Sequence, residues 1–208
     1  MIKNWAQQPS FAIFIVLVVL VVFFQLSNPV FLSSVNIATM LRALSYSGMI
    51  AVGMALCLIS GIIDLSVGST AALSSIVFGV SIRDFGVDLL VAIILALLAG
   101  AIVGLINSFI ILKLKITPFI ATISMMFIIR GVANWISNGY NIYPLSDIVL
   151  EIGYGRPFGV SWAFIFFVVC AVIAHFILQY SLLGLLIRAT GSDREVAKCT
   201  EVDVDKIN

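Results

Sequence analysis

The chain has 208 residues, of which 62% are hydrophobic and 10% are charged, and its formal net charge is +1. Its mean hydropathy is +1.21. A soluble domain has about 45–50% apolar residues, so this composition excludes an ordinary soluble domain and predicts an integral membrane protein. A net charge this close to zero also argues against a nucleic-acid partner.

Six apolar runs along the chain are long enough to cross a bilayer. A membrane-spanning helix needs about 20 mostly apolar residues, within a range of about 17–25. The second and third runs are short and close together, so two full spans or one broken, re-entrant helix would both fit there. We therefore expect an all-α, polytopic helix bundle forming one domain over residues 1–208. The predicted spans are residues 10–26, 44–60, 65–82, 89–112, 117–137 and 161–180.

The distribution of Lys and Arg predicts the orientation of these spans. No small-residue cleavage site follows the first run, so we interpret it as an uncleaved span. Six crossings place both chain ends on one side, and cytoplasmic loops carry the excess of Lys and Arg. With the N-terminus and residue 208 in the cytoplasm, the outside segments hold only Arg42, Arg83 and Arg156. The inside segments then hold Lys3, Lys113, Lys115, Arg188, Arg194, Lys198 and Lys206.

A carboxylate, Asp64, lies between the second and third runs. An Asp at the centre of a spanning helix costs about 2.5–3.5 kcal/mol, so such residues mark helix ends, cavities or functional sites. One interpretation is structural, with Asp64 as the N-cap of a helix starting at Leu65. The other is that Asp64 and Ser66, continued by Gly68 and Ser69, border a translocation pathway or its inner gate. The two interpretations are compatible.

Three further polar residues within the predicted spans stand out as candidates. Asn107 is near the inner end of the fourth span, and Arg130 is in the fifth, with Asn134 one turn later. Arg130 either snorkels toward the outer headgroups or lines the pathway together with Asn134. All three are candidate pathway residues.

Small residues recur every fourth position along the fourth span. Such a stripe lets another helix backbone approach closely, because lipid supplies no hydrophobic drive for helix association. Tight packing in the bundle is the simplest interpretation, with a dimer contact or a pathway wall as alternatives. The residues are Ala92, Ala96, Gly100, Gly104 and Ser108.

The chain shows no sign of catalytic machinery. It has no Gly-x-x-x-x-Gly-Lys-Ser/Thr run that would form a phosphate-binding loop. His175 is the only histidine, so we expect no zinc-type metal site. The three cysteines suggest no disulfide framework. We expect no catalytic residue, metal or cofactor in this chain.

After the last span the character of the sequence changes. We expect Gly191 to make a turn, Ser192 or Asp193 to cap a short helix, and Glu195 to lie in its first turn. A helix this short is not stable alone in water, so it must dock on something. The short helix would dock either on its own bundle or on a soluble partner.

Several blocks together resemble a known family, the membrane permeases of bacterial ABC importers for ribose, related monosaccharides and autoinducer-2. The most specific match is residues 61–69, which resemble the family's Gly-Gly-Ile-Asp-Leu-Ser-Val-Gly-Ser signature, with Ile62 in place of the second Gly. The remaining blocks are Asn36-Ile37, residues 51–56, residues 118–122, Arg130-Gly131, Asn138-Gly139, Gly155-Arg156-Pro157 and residues 184–204.

The resemblance implies a type II-like importer fold in the bacterial inner membrane. The permease would work with a second permease subunit, an extracytoplasmic sugar-binding protein and an ATPase subunit that binds ATP and Mg. Residues 183–204 would form the cytoplasmic coupling loop that contacts the ATPase. The coupling residues implied are Arg188, Gly191, Ser192, Asp193, Glu195 and Ala197.

Family permeases continue through about four more spans after this loop, so the resemblance covers the N-terminal part of a permease. Two other interpretations stay open. One is a secondary, ion-coupled transporter with Asp64 as an ion or proton site at a broken helix. The other is an inactive, truncated membrane fragment.

Overall fold

The computed structural model describes residues 9–143 and 146–192. This part of the chain is helical, with eight α-helices and one short 3-10 turn at Pro157–Gly159. The helices are α1 (Pro9–Ser27), α2 (Ser34–Ile59), α3 (Val67–Arg83), α4 (Leu89–Leu112), α5 (Pro118–Ser137), α6 (Asp147–Tyr154), α7 (Trp162–Tyr180) and α8 (Leu182–Ser192).

Local sequence signals set several helix ends. Ser33 caps α2 by accepting a hydrogen bond from the Asn36 backbone N–H at 3.3 Å. Ser161 caps α7 in the same way, accepting from the Phe164 N–H at 3.3 Å. Pro118 is the first residue of α5, where its missing N–H costs nothing. The start predicted for the fifth span is therefore confirmed to within one residue.

Four of the described helices, α2, α4, α5 and α7, are long and apolar enough to cross a membrane. Shorter apolar stretches among the described residues are Phe11–Ser27 of α1, Val67–Arg83 and Leu182–Gly191. The bounds predicted for α4 are confirmed, whereas the predicted start of the second span is wrong, because α2 begins at Ser34. The helix continues past Arg42, whose guanidinium carbon lies 4.8 Å above the Tyr154 ring. This cation–π contact stabilises the Arg42 charge, which the sequence predicts to lie outside the span.

The helices pack as two groups that contact each other. In one group α3 packs against α4 and α5, and in the other α7 packs against α2 and α8. The contact of α2 with α3 joins the groups, and α2 also contacts α8 within its own group. Glycines allow the closest approaches. A Cβ on Gly100 of α4 would lie 3.3 Å from the Ser74 hydroxyl of α3, and a Cβ on Gly48 of α2 would lie 2.5 Å from the Phe167 ring of α7. The predicted tight packing of the small stripe on α4 is therefore confirmed at Gly100, whereas Gly104 is exposed and a Cβ there would meet no neighbouring element within 4 Å.

Many buried side chains are small or polar and surround a small apolar cluster of Val103, Met125 and Ile129, while most large apolar side chains face outward. The largest fully buried side chains are Thr122, Thr190, Ser45, Ser66 and Ser161. Several hydroxyls donate a hydrogen bond to a backbone carbonyl one turn earlier. Thr190, for example, donates to the Leu186 carbonyl at 2.9 Å. A lipid-facing bundle has this arrangement, because small residues let helices approach and apolar residues meet the lipid.

The segment after α7 does not fold as predicted. We expected a turn at Gly191, but α8 runs from Leu182 to Ser192 and includes it. The glycine serves close packing instead. A Cβ there would overlap the carbonyl oxygen of Ile59 and lie 3.3 Å from the Gly61 nitrogen. The helix predicted to follow, with Asp193, Glu195 and Ala197, lies outside the described residues.

Candidate functional site

The segment between α2 and α3 is held by the Asp64 carboxylate. Its Oδ1 accepts hydrogen bonds from both the backbone N–H and the hydroxyl of Ser66, each at 2.7 Å. Ser66 immediately precedes α3, which begins at Val67 rather than Leu65. Asp64 thus satisfies one free N–H at the start of α3. It lies two residues before Ser66, which holds the N-cap position, so the predicted N-cap role in a helix starting at Leu65 is wrong.

The same network reaches a second helix through Asn107 of α4. The Asn107 amide donates to the Ser66 hydroxyl oxygen at 2.8 Å. Ser66 is almost fully buried and Asn107 is 5% exposed. Because the Ser66 proton is directed at Asp64, the Ser66 oxygen must accept, and this fixes the Asn107 NH₂ group toward Ser66. The Asn107 Oδ1 then points away from the network, and it is buried without a hydrogen-bond partner.

A third helix, α5, holds the same segment from the other side. The Thr122 hydroxyl donates to the backbone carbonyl of Ile63 at 3.3 Å. Ile62, which departs from the family signature, is buried. The Ser60 hydroxyl donates to the Cys57 carbonyl at 2.8 Å at the end of α2. The segment is therefore anchored to α2, α4 and α5 by side chains that are themselves largely buried.

Two cavities meet at this network. One, of about 420 Å³, lies between α2, α3 and α4 and extends to Met49 and Ser74. The other, of about 300 Å³, extends to Ile111 of α4 and Ile187 of α8. Four residues line both cavities, namely Cys57, Asp64, Gly104 and Asn107. We call the group Asp64, Ser66 and Asn107 the Asp64 junction.

Helix α8 lies directly against the backbone that leads into the junction. Gly191 contacts the Ile59 carbonyl and Gly61 without room for a side chain. Gly61 itself has a φ of +84°, a left-handed conformation that favours glycine. Ile187, one turn before Gly191, lines the second cavity. A shift of α8 would therefore act on the turn that places Asp64.

The other predicted pathway residues lie in different places. Ser69 is buried in α3, one turn beyond the junction, and Gly68 is exposed. Arg130 and Asn134 are exposed on α5, and Asn134 lines a separate cavity of about 580 Å³ toward the other end of the helix. The structure therefore brings Asn107 to Asp64 but does not bring Arg130 or Asn134 there.

Of the predicted coupling residues, three fall on α8. Arg188 is exposed and donates to the Gln179 side chain at 3.3 Å. Gly191 makes the contact described above, and Ser192 ends the helix. Their predicted contact with an ATPase stays a prediction.

Sequence reasoning missed two residues of this site, Thr122 and Cys57. Thr122 follows Pro118 by one turn and shares a face with the buried residues Met125 and Ile129. A polar residue on the buried face of a span is the signal that would have identified it. Cys57 carries no such signal, because a cysteine in an apolar run is usually a small core residue.

Titratable side chains near the ends of the helices form an ion pair, Arg83 with Asp84, and a tyrosine pair, Tyr143 with Tyr154. The Arg83 guanidinium donates to both oxygens of Asp84, at 2.5 and 2.8 Å. These hydrogen bonds lower the pKa of the Asp84 carboxyl group. The hydrogen bond with Tyr154 raises the pKa of the Tyr143 hydroxyl. Neither pair touches the Asp64 junction.

Several apolar helices of spanning length, wrapped around a polar junction, define a multi-pass membrane protein. Comparison with known families identifies the kind of membrane protein. Residues 36–208 match the family described as the permease component of the branched-chain amino acid transport system. The chain belongs to this permease family.

Individual relatives are sugar permeases by name. The chain is 33% identical to the ribose import permease protein RbsC of Escherichia coli K12, over 99% of this chain and 64% of the relative. It is 34% identical to the L-arabinose permease AraH of the same strain, over 97% of this chain and 60% of the relative. RbsC of Bacillus subtilis is also 34% identical, over 93% and 61%. The chain spans less than two thirds of the length of these relatives, and no solved structure matches it.

Proposed function

We propose that this chain forms the membrane-spanning permease subunit of an ABC importer that moves a monosaccharide or related small solute across the bacterial inner membrane. The family match and the names of the relatives support this class of transport. The structural observation that carries the proposal is the Asp64 junction, a buried polar network between two cavities of a helix bundle. A permease needs such a constriction, where access from one side is closed while the other is open.

The chain in this proposal hydrolyses no ATP itself. A separate ATPase subunit binds ATP and Mg, and this chain binds no cofactor. A second permease subunit completes the pathway, an extracytoplasmic binding protein delivers the sugar, and lipid surrounds the apolar outer face. The N-terminus and residue 208 lie in the cytoplasm, as the Lys and Arg distribution predicts.

Residues 183–204 serve as the coupling element in this proposal. Closure of the ATPase pair would move α8, and the contact of Gly191 with Ile59 and Gly61 would carry that movement to the turn before Asp64. The hydrogen bonds from Ser66, Asn107 and Thr122 would then rearrange together, because they hold one short segment. The junction would open toward one cavity and close toward the other.

Uptake into proteoliposomes tests the proposal. The chain is reconstituted with the ATPase subunit and binding protein that co-purify with it, and radiolabelled ribose and L-arabinose are the probes. We expect uptake that requires ATP and disappears when the phosphate-binding-loop lysine of the ATPase is replaced. Uptake driven by a proton or sodium gradient without the ATPase would instead support a secondary transporter with Asp64 as its ion site. Absence of uptake under both conditions would support an inactive membrane fragment.

A further inference from the structure

We infer that Asp64 and Asn107 form a subsite for adjacent hydroxyl groups of a neutral sugar at the meeting point of the two cavities. This inference rests on the proposed function, because it names the part of the pathway that touches the solute. Its starting point is the Asn107 Oδ1, which is buried in a residue only 5% exposed and has no partner.

The orientation of that oxygen follows from the network. Ser66 uses its one proton on Asp64, so it accepts from the Asn107 NH₂ group. The amide oxygen is thereby left as an acceptor without a donor, in a residue that lines both cavities. A buried acceptor without a donor costs about 1–3 kcal/mol, and a bound solute whose hydroxyl reaches the Asn107 oxygen would remove that cost.

The acceptors at the junction determine which solute fits. The Asp64 carboxylate and the Asn107 amide oxygen are both hydrogen-bond acceptors. Ser66 links the two residues, because it donates to Asp64 and accepts from Asn107. Neighbouring hydroxyls of a sugar ring can donate one hydrogen bond to each. The surrounding walls are mostly apolar, with Met49, Val103 and Gly100 among them. Apolar walls with a few convergent polar groups are typical of small-molecule sites.

A bound metal cation fits the junction less well. A calcium ion takes six to eight oxygen ligands and a magnesium ion about six. Across residues 9–143 and 146–192, no group of three His, Cys, Asp or Glu residues is placed to hold a metal. The junction itself offers one carboxylate and one free amide oxygen.

Cys57 supplies a direct test, because its thiol belongs to a residue that lines both cavities. In a Cys170→Ser, Cys199→Ser chain it is the only thiol. The rate of its labelling by N-ethylmaleimide is measured in nanodiscs while D-ribose is titrated to near-molar concentration. Glycine betaine at equal osmolality is the control for crowding, and sodium chloride against choline chloride is the control for a cation.

We expect ribose to slow the labelling of Cys57 by about tenfold at about ten times its dissociation constant, while glycine betaine and sodium leave the rate unchanged. Asn107→Leu should abolish this protection. The matched change Asn141→Leu, at an exposed residue that lines neither cavity, should preserve it. Thermal unfolding of both variants confirms that each remains folded.

Equal labelling with and without ribose in the chain with native Asn107 overturns the inference, and so does protection by sodium rather than ribose. Protection that survives in Asn107→Leu also overturns it, by placing the sugar elsewhere. The readout uses no ATP, so it separates this inference from the proposed function. ATP-dependent uptake without Cys57 protection would reject the subsite alone, whereas protection without such uptake would reject the ABC mechanism alone.

Discussion

Replacement of Gly191 by alanine tests whether α8 is joined mechanically to the segment that holds Asp64. The new methyl group would overlap the Ile59 carbonyl oxygen, lie 2.9 Å from the Ile59 carbonyl carbon and 3.3 Å from the Gly61 nitrogen. These are backbone atoms, which have no rotamer to move into. The end of α8 must therefore shift away from the end of α2.

The size of the effect follows from two opposing contributions. An extra methyl group in a packed contact costs about 1–3 kcal/mol, while alanine gains at most about 1 kcal/mol over glycine in a helix. The gain is smaller here because Gly191 lies in the last turn of α8. A net loss of about 1.4 kcal/mol would change the population of docked α8 about tenfold.

The assay combines thermal unfolding with the number of sugars imported per ATP hydrolysed in the proteoliposomes. We expect Gly191→Ala to insert normally, unfold at a lower temperature and import fewer sugars per ATP. Gly131→Ala is the matched control, since no atom lies within 4 Å of a Cβ built on that glycine of α5. It should leave coupling unchanged and raise stability slightly. If the two variants unfold and couple alike, the proposed link from α8 to the junction is wrong.

Three other substitutions test separate parts of the structure. Asp64→Asn should change the free energy of unfolding by less than about 1 kcal/mol, because the asparagine Oδ1 can accept the same two hydrogen bonds from Ser66, yet lower uptake; equal uptake at matched expression would leave Asp64 with a structural role only. Thr122→Val should destabilise the chain by about 0.5–1.5 kcal/mol by removing the hydrogen bond to Ile63, and an unchanged thermal transition would show that this bond contributes nothing. Gly48→Val should cost about 1–3 kcal/mol, because even a Cβ would lie 2.5 Å from the Phe167 ring; unchanged unfolding would mean that the ring moves aside freely.

Apolar length and helix-end chemistry were enough to predict most of the bundle. The fourth span was correct at both ends because charged residues, Asp88 and Lys113, flank a run without charge. The second span began too late because Arg42 appeared to end it. Only the fold shows that Tyr154, more than 100 residues later in the chain, lies beneath that guanidinium.

Gly191 illustrates a second limit of sequence reasoning. Glycine serves both turns, where φ is positive, and close contacts, where a Cβ has no space. The local sequence favoured a turn, and nothing near Gly191 in sequence reveals the carbonyl of Ile59 against which it packs. Gly61, its neighbour across the contact, is the residue that has the positive φ. One close contact thus uses two glycines for two different physical reasons.

The candidate site raises a further point about the two interpretations of Asp64. The structural role of satisfying a free N–H at the start of α3 requires only Asp64 and the Ser66 N–H. It does not require Asn107, because a leucine at that position would fill similar space without leaving an acceptor unpaired. The unpaired Oδ1 instead carries a cost of about 1–3 kcal/mol, in a residue that lines both cavities. Stability alone gives no reason for that cost, whereas an occupant that donates hydrogen bonds does, so Asn107 distinguishes a pathway from a structural role more sharply than Asp64.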